Sequence, residues 1–182
     1  NNSAFQKLDE VIYDSIDVGY MGLNKLKNNL FLVGNSNKPI AQKFIRIIKL
    51  SEDLKELEKV SFEVKYSPAF PIKFLNKDKN IFLISQEEFR IVIYKFDIDA
   101  NLIFTKEYLT PDLSRNSSDE ILETLDNNLI ISSSISFKSK LGRYGHLLKI
   151  DTSGNVLWNY VSNEESKSGS QFYAVQLSDG NI

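Results

Sequence analysis

The sequence contains no cysteine and has only one histidine, one tryptophan, four prolines and eight glycines in 182 residues. The absence of cysteine excludes disulfide frameworks, thiolate metal sites and cysteine nucleophiles. The low proline and glycine content disfavours a loop-rich scaffold. No apolar run is long enough to span a membrane. The formal net charge of -2, from 22 basic and 24 acidic side chains, provides no basic footprint, so no nucleic-acid partner is expected.

The residues that are abundant favour β-structure. Hydrophobic residues make up 42% of the chain and charged residues 25%, an ordinary balance for a folded protein. Twelve phenylalanines and eight tyrosines add aromatic side chains, which are enriched in strands. The composition therefore predicts a folded chain with a substantial share of β-sheet.

One motif recurs along the whole chain. In each copy, an apolar segment ends in leucine, a polar turn follows, and a second apolar segment begins after an asparagine. The leucines of the four copies are Leu26, Leu75, Leu125 and Leu177, at intervals of 49, 50 and 52 residues. Such regular spacing is typical of a repeat protein.

A second motif follows each of the first three copies. An apolar segment closes near Lys49, Lys95 or Lys149, a polar turn follows, and the chain enters another apolar segment. The clearest turn is Asp151-Thr-Ser-Gly-Asn155, whose residues tolerate positive φ and bond their own backbone. Each repeat of about 50 residues therefore contains four strands, which is typical of a β-propeller blade.

We therefore predict an all-β fold, a β-propeller of four-stranded antiparallel blades, with residues 1–182 forming one propeller segment. Full blades are expected at about residues 15–65, 66–110 and 111–161, with partial blades at both ends. Val11–Asp14 is expected to be an outermost strand and Phe172–Leu177 an innermost strand of the partial blades. The ring is expected to be incomplete. A compact four-bladed ring closed by the two ends of the chain is the alternative.

Two segments favour a helix by composition and a strand by repeat register. Ser51–Lys59 begins with a serine suited to a helix N-cap and has an acidic first turn, and Ser118–Leu125 is similar. Both align with turn-and-strand segments of the repeat, so we predict strands. Strand alternation also predicts four buried side chains: Ile91, Ile93, Leu147 and Trp158.

The segment Leu147-Leu-Lys-Ile-Asp-Thr-Ser-Gly-Asn-Val-Leu-Trp158 resembles the repeat of bacterial quinoprotein-like (PQQ-like repeat) β-propellers. The other two repeats lack the glycine and tryptophan of this pattern. The resemblance implies a propeller fold and an extracytoplasmic location, periplasmic or at the cell surface, of the lipoprotein type. It does not imply a reaction, because such families include both enzymes and proteins without known activity.

Few side chains are candidates for chemistry. Asp97–Asn101 and Asp151–Asn155 place oxygen atoms at alternate positions, as calcium requires, but a hairpin turn that bonds its own backbone explains the same residues, and no metal is predicted. His146, the only histidine, is predicted to be structural. No cofactor is predicted, because a quinone needs a stacking tryptophan in the channel and Trp158 is expected in an outermost strand.

Binding is expected at one end of the propeller. If the innermost strand comes first, the short and similar turns share one end, while the long and dissimilar connections share the other. Divergent connections are where binding residues concentrate. The predicted surface for a protein partner or a carbohydrate contains Phe70, Arg115, Lys140, Arg143 and Tyr144. They belong to three predicted loops: Tyr66–Pro71, Thr110–Asp119 and Ser136–Tyr144.

The sequence thus predicts a non-catalytic binding or scaffold module in an extracytoplasmic assembly, with no catalytic residue. The alternative is a propeller enzyme, glycoside-processing or quinone-dependent, whose active site lies in the central channel or in blades outside this sequence. Converging carboxylates or a metal at the channel mouth would favour the enzyme. A broad surface buried against a partner would favour the scaffold.

Overall fold

The computed structural model describes residues 18–26, 29–36, 44–53, 55–63, 69–77, 80–87, 90–109, 113–139, 141–163, 174–178 and 180. In these residues, twelve strands form three four-stranded antiparallel sheets, and there is no helix. Sheet 1 contains β1 (Val18–Leu26), β2 (Asn29–Ser36), β3 (Phe44–Ser51) and β4 (Glu56–Glu63). Sheet 2 contains β5 (Ala69–Lys77), β6 (Asn80–Glu87), β7 (Arg90–Asp97) and β8 (Leu102–Leu109). Sheet 3 contains β9 (Leu113–Glu123), β10 (Leu129–Phe137), β11 (Tyr144–Ile150) and β12 (Val156–Val161).

Within each sheet the strands lie in the order in which they occur along the chain. The first strands of the sheets also contact one another, β1 with β5 and β5 with β9. The predictions of an all-β fold and of antiparallel four-stranded repeats are confirmed. The described strands do not close a ring, so the propeller, and the assignment of residues 1–182 to it, stay predictions.

Cross-strand pairing overrides local helix preference in both ambiguous segments. Ser51–Lys59 forms the end of β3, a turn and the start of β4, and residues 118–123 lie in β9. The prediction of strands is therefore confirmed. Each segment pairs with an apolar strand, β3 or β10, and the ladder hydrogen bonds outweigh a preference worth a few tenths of a kcal/mol per residue.

Sheet 2 is packed on both faces because the side chains of a strand alternate between them. Ile81 and Leu83 of β6 join a buried cluster with sheet 1, whereas Phe82 and Ile84 join a second cluster with sheet 3. All four are at most 1% exposed. The near-continuous apolar sequence of β6 and β7 is therefore explained by a sheet that is covered on each side.

The same ends of the three sheets lie next to one another. Lys49 of β3 lies 3.2 Å, Nζ to Oδ1, from Asp99 in the turn between β7 and β8. Lys95 of β7 donates to the carbonyl of Thr152, in the turn between β11 and β12, at 3.0 Å. Since the corresponding lysines of sheets 1 and 2 each reach the corresponding turn of the next sheet, these turns lie at one end of the stack, called the turn end below.

Three expectations need correction. Residues 113–119 are not a loop, because β9 begins at Leu113 and its serine-rich segment pairs with β10. Leu147 and Trp158 are only half-buried, because they line an open hollow on the face of sheet 3 turned away from sheet 2. Residues 174–177, expected in a strand, are not in one.

Residues 174–177 do not form the expected strand because they have no ladder partner in the described part of the chain. They are held instead by Gln176, whose Oε1 accepts a hydrogen bond from the backbone N–H of Leu125 at 2.6 Å. The expected strand Val11–Asp14 lies outside the described residues. Ile91 and Ile93 are at most 2% exposed, as predicted.

Candidate functional site

The turn end is stabilised by its own aspartates. Oδ1 of Asp97 accepts hydrogen bonds from the backbone N–H groups of Asp99 and Asn101, both at 2.9 Å. Oδ1 of Asp151 does the same for Ser153 and Asn155, both at 2.8 Å. The interpretation of Asp97–Asn101 and Asp151–Asn155 as self-bonded turns is therefore confirmed.

These hydrogen bonds determine how the aspartates titrate. Burial acts to raise the pKa of Asp97, but hydrogen bonds from Asn101 and from the Asp99 backbone outweigh it and leave the pKa below 3.8. The backbone N–H of Asn155, opposed by burial, likewise holds the pKa of Asp151 below 3.8. Both carboxylates are therefore ionised at neutral pH and already occupied as acceptors.

The turn of sheet 3 also docks onto sheet 2. Tyr108 of β8 donates its hydroxyl to the carbonyl of Gly154 at 2.7 Å, and Lys106 donates to Oδ1 of Asn155 at 3.0 Å. Burial, with the nearby charge of Asp151, raises the pKa of Tyr108 to about 12, so the hydroxyl remains a donor throughout the physiological range. The residues of the turn end are thus engaged in holding the sheets together.

Three of the predicted binding residues meet at the opposite end of sheet 3. Arg115 lies in β9 opposite Ser136, and Tyr144 begins β11 opposite Ile135. Arg143 immediately precedes Tyr144 and is half-buried. The strand register thus brings Arg115, Arg143 and Tyr144 to the end of sheet 3 remote from its turn end.

The other two predicted residues belong to different parts of the chain. Phe70 is the second residue of β5, and its neighbour Ala69 pairs with Gln86. It therefore lies at the end of sheet 2 that corresponds to the end bearing Arg115. Lys140 lies outside the described residues. We call the end that carries Phe70, Arg115, Arg143 and Tyr144 the loop end.

At the loop end of sheet 3, the side chain of Tyr144 has a structural role and that of Leu141 is exposed to solvent. The ring of Tyr144 packs on Phe137, with centroids 5.7 Å apart, and its hydroxyl donates to the carbonyl of Leu141 at 3.1 Å. Leu141 itself is 90% exposed. Leu141 was not among the predicted residues, although an apolar residue in a polar connection was the available signal.

His146 lies in the interior and pairs with a buried serine. Its Nδ1 is 2.8 Å from Oγ of Ser133, and the two residues are 3% and 0% exposed. Burial lowers the pKa of His146 to about 4, so the ring is neutral at pH 7. Because Ser133 has no exposed surface, its hydroxyl is closed to a substrate, and the pair does not form an accessible nucleophile and base.

Sequence reasoning missed a cavity between sheets 2 and 3. Its volume is about 240 Å³, and it is lined by Ile91, Glu107, Tyr108 and Leu109 of sheet 2 and by His146, Leu148 and Asn159 of sheet 3. The repeat does mark His146 as unusual. Val92 and His146 occupy equivalent positions in successive repeats, and each is paired with a serine of the neighbouring strand. The single histidine therefore replaces an apolar residue of the preceding repeat.

Within the described residues, no three histidine or acidic side chains lie close enough together to hold a metal ion. In the same part of the chain, no helix has the length and apolarity to cross a membrane. The chain matches no known protein-family model and no curated protein sequence. The resemblance of Leu147–Trp158 to quinoprotein-like propellers therefore stays a prediction.

Proposed function

We propose that this chain is a non-catalytic binding or scaffold module of the propeller type, which engages a protein partner or a carbohydrate through its loop end. The extracytoplasmic location belongs to the same proposal and is supported by the resemblance of the third repeat. The observation that carries the proposal is the difference between the two ends of the stack.

The turn end supports an internal role. The carboxylates of Asp97 and Asp151 bond their own turns, and Lys49 and Lys95 bond the turn of the next sheet. Groups that hold neighbouring sheets together are not available to a partner without disturbing the fold.

The loop end supports recognition. There the connection between β10 and β11 presents Leu141, 90% exposed, beside the half-buried Arg143 and Tyr144. Arginine and aromatic side chains are typical anchors of protein interfaces, and an exposed apolar side chain adds contact area. An aromatic and an arginine residue on the same connection also suit a sugar, which offers both apolar faces and hydroxyl acceptors.

The experiment combines Leu141→Ala with Arg143→Ala and leaves Tyr144 unchanged, because the Tyr144 ring packs on Phe137 and its loss would also change stability. The biotinylated chain is used to isolate a binding protein from an extracytoplasmic extract, and a glycan array tests carbohydrates. The double variant should bind the identified partner about thirty-fold more weakly, which corresponds to about 2 kcal/mol, with an unchanged melting temperature.

The matched control is Ser153→Ala at the turn end, since the Ser153 side chain is exposed and only its backbone N–H bonds Asp151. This variant should bind as tightly as the unaltered chain. If it loses binding while the Leu141 and Arg143 double variant retains it, the functional surface is the turn end and the proposal is wrong.

A further inference from the structure

The cavity between sheets 2 and 3 has a polar inner wall where the preceding interface is apolar. Val92, at the place equivalent to His146, joins the buried apolar cluster between sheets 1 and 2. In the cavity wall, His146 is only 3% exposed. A buried polar group costs free energy unless a hydrogen bond compensates it. Nε2 of His146 is not among the enclosed side-chain atoms that lack a partner in the described residues, so this nitrogen is open to the cavity that the ring lines.

The hydrogen bond with Ser133 determines which ring nitrogen carries the proton. The Ser133 hydroxyl has no acceptor other than Nδ1 of His146 among the described residues. The hydroxyl proton therefore points at Nδ1, and in the neutral ring the remaining proton is on Nε2. Nε2 has no partner in the described part of the chain. His146 thus offers an N–H donor at the cavity wall.

The charge at the cavity wall is balanced. Glu107, which contributes to the lining, is paired with Arg90 at 2.6 Å, Nη1 to Oε2. The pKa of His146 is about 4, so the ring adds no charge at neutral pH. An anion would lose its hydration with no cationic side chain among the described lining residues to replace it, and a cation would face a donor. A neutral acceptor avoids both costs.

We propose that this cavity binds a small neutral ligand that carries an amide carbonyl, which accepts a hydrogen bond from Nε2 of His146. The amide of Asn159, at the sheet 3 side of the cavity, can accept from the ligand N–H, while Ile91 and Leu148 contact its apolar part. The volume of about 240 Å³ corresponds to roughly eight water molecules, which is ample for an amide-bearing group of this kind. The lining of the cavity shares no residue with the loop-end surface of Phe70, Arg115, Arg143 and Tyr144, and the proposal does not depend on that surface.

The test uses three probes of similar size and different charge: acetamide, acetate and ethylammonium. Because His146 is the only histidine, the imidazole ¹H–¹⁵N resonances of the full chain are unambiguous. Before titration the spectrum should show the proton on Nε2. Acetamide should shift the Nε2–H resonance saturably, while acetate and ethylammonium at the same concentrations leave it in place.

Two variants connect the shift to the site. His146→Val copies Val92 and should fold, and ligand-observed saturation transfer should show acetamide binding at least about ten-fold weaker, as expected for one lost hydrogen bond to a buried donor. Ser133→Ala leaves the ring in place but removes the partner of Nδ1, so acetamide affinity should follow the Nε2–H population, which the same imidazole spectrum measures. This second variant keeps the test decisive if His146→Val unfolds.

Three results would overturn the proposal. The first is a proton on Nδ1 in the unaltered protein. The second is a saturable shift by acetate as large as that by acetamide, which would identify an anion site. The third is acetamide affinity that is unchanged in His146→Val, or that does not follow the Nε2–H population in Ser133→Ala, which would place the binding elsewhere.

Discussion

Ala100 and Gly154 occupy the same place in successive turns but meet different surroundings. Both have positive φ, 60° and 78° respectively, a region that costs an L-residue about 1–2 kcal/mol. Ala100 is 1% exposed and packs among apolar side chains of sheet 1. A Cβ on Gly154 would lie 2.7 Å from Cδ of Lys106 and 3.0 Å from the hydroxyl of Tyr108.

We predict that Gly154→Ala lowers the free energy of unfolding by about 2–3 kcal/mol, because backbone strain adds to a steric conflict with the Tyr108 hydrogen bond. Urea denaturation measures the effect. The matched change is Ala100→Gly, where relief of about 1 kcal/mol of strain opposes the loss of about 0.8 kcal/mol from one buried methyl. Its net effect should stay within about 0.5 kcal/mol. An equal response of the two turns would contradict this account.

His146 predicts a pH dependence of stability. Its pKa is about 4 in the folded chain and 6.5 for an unperturbed histidine side chain, so between these values the unfolded chain binds more protons. Stability is therefore full above pH 6.5 and decreases as the pH falls to 4, by about 3 kcal/mol in total. Thermal melts at pH 7, 6, 5 and 4 should show this loss.

His146→Val serves as the reference for these melts. The charged pair Glu107–Arg90 beside the cavity and the remaining carboxylates are common to both proteins, so their titration cancels in the comparison. The variant should lose about 3 kcal/mol less than the unaltered protein between pH 7 and pH 4. Parallel curves would mean that the ring is accessible to protons in the folded chain.

At the scale of the strand, the position of a strand in its sheet and in the stack determines how many buried contacts it makes. β7 has a neighbouring strand on each side and apolar neighbours on both faces, whereas β12 has β11 on one side only in the described sheet. Its side chains Val156, Leu157 and Tyr160 are 49–52% exposed. Local opening of β12 therefore disturbs far fewer buried contacts than opening of β7.

Amide hydrogen exchange tests this difference. Backbone amides of β6 and β7 should exchange at least about a hundred-fold more slowly than those of β12, because central strands open only in larger units of the fold. β8, which is an outer strand but carries the docked turn of sheet 3, should lie between them. Uniform exchange across the three sheets would indicate that they open as one unit and would contradict the expectation.

The sequence predicts a strand when its pattern is local, and fails when the strand depends on pairing with a distant segment. Alternating apolar residues and turns such as Asp151–Asn155 are local, so most strands follow from them. β9 was missed from residue 113 because its polar, serine-rich start has no apolar alternation and is a strand only through pairing with β10. The exposure of Trp158 depends on what packs against the outer face of sheet 3, and local sequence patterns do not indicate this.

On the scale of the whole molecule, the repeat predicted three four-stranded sheets, but the contacts between the sheets could be identified only from the structure. The cavity joins Glu107 and Tyr108 to His146 and Asn159, residues of two repeats whose relative position is determined by packing. Repeat register could have indicated that His146 replaces Val92. It could not indicate that a cavity lies beside the ring.

The docking of successive turns has a consequence for assembly errors. β8 presents Lys106 and Tyr108 to the polar turn of sheet 3. The equivalent residues of β4, Val60 and Phe62, pack instead against the apolar cluster that contains Ala100. A sheet 3 misplaced onto sheet 1 would lose both polar contacts and leave Asn155 against an apolar surface. Similar repeats are prone to swapping during folding, and this mismatch allows each sheet to distinguish its correct neighbour from its near-copy.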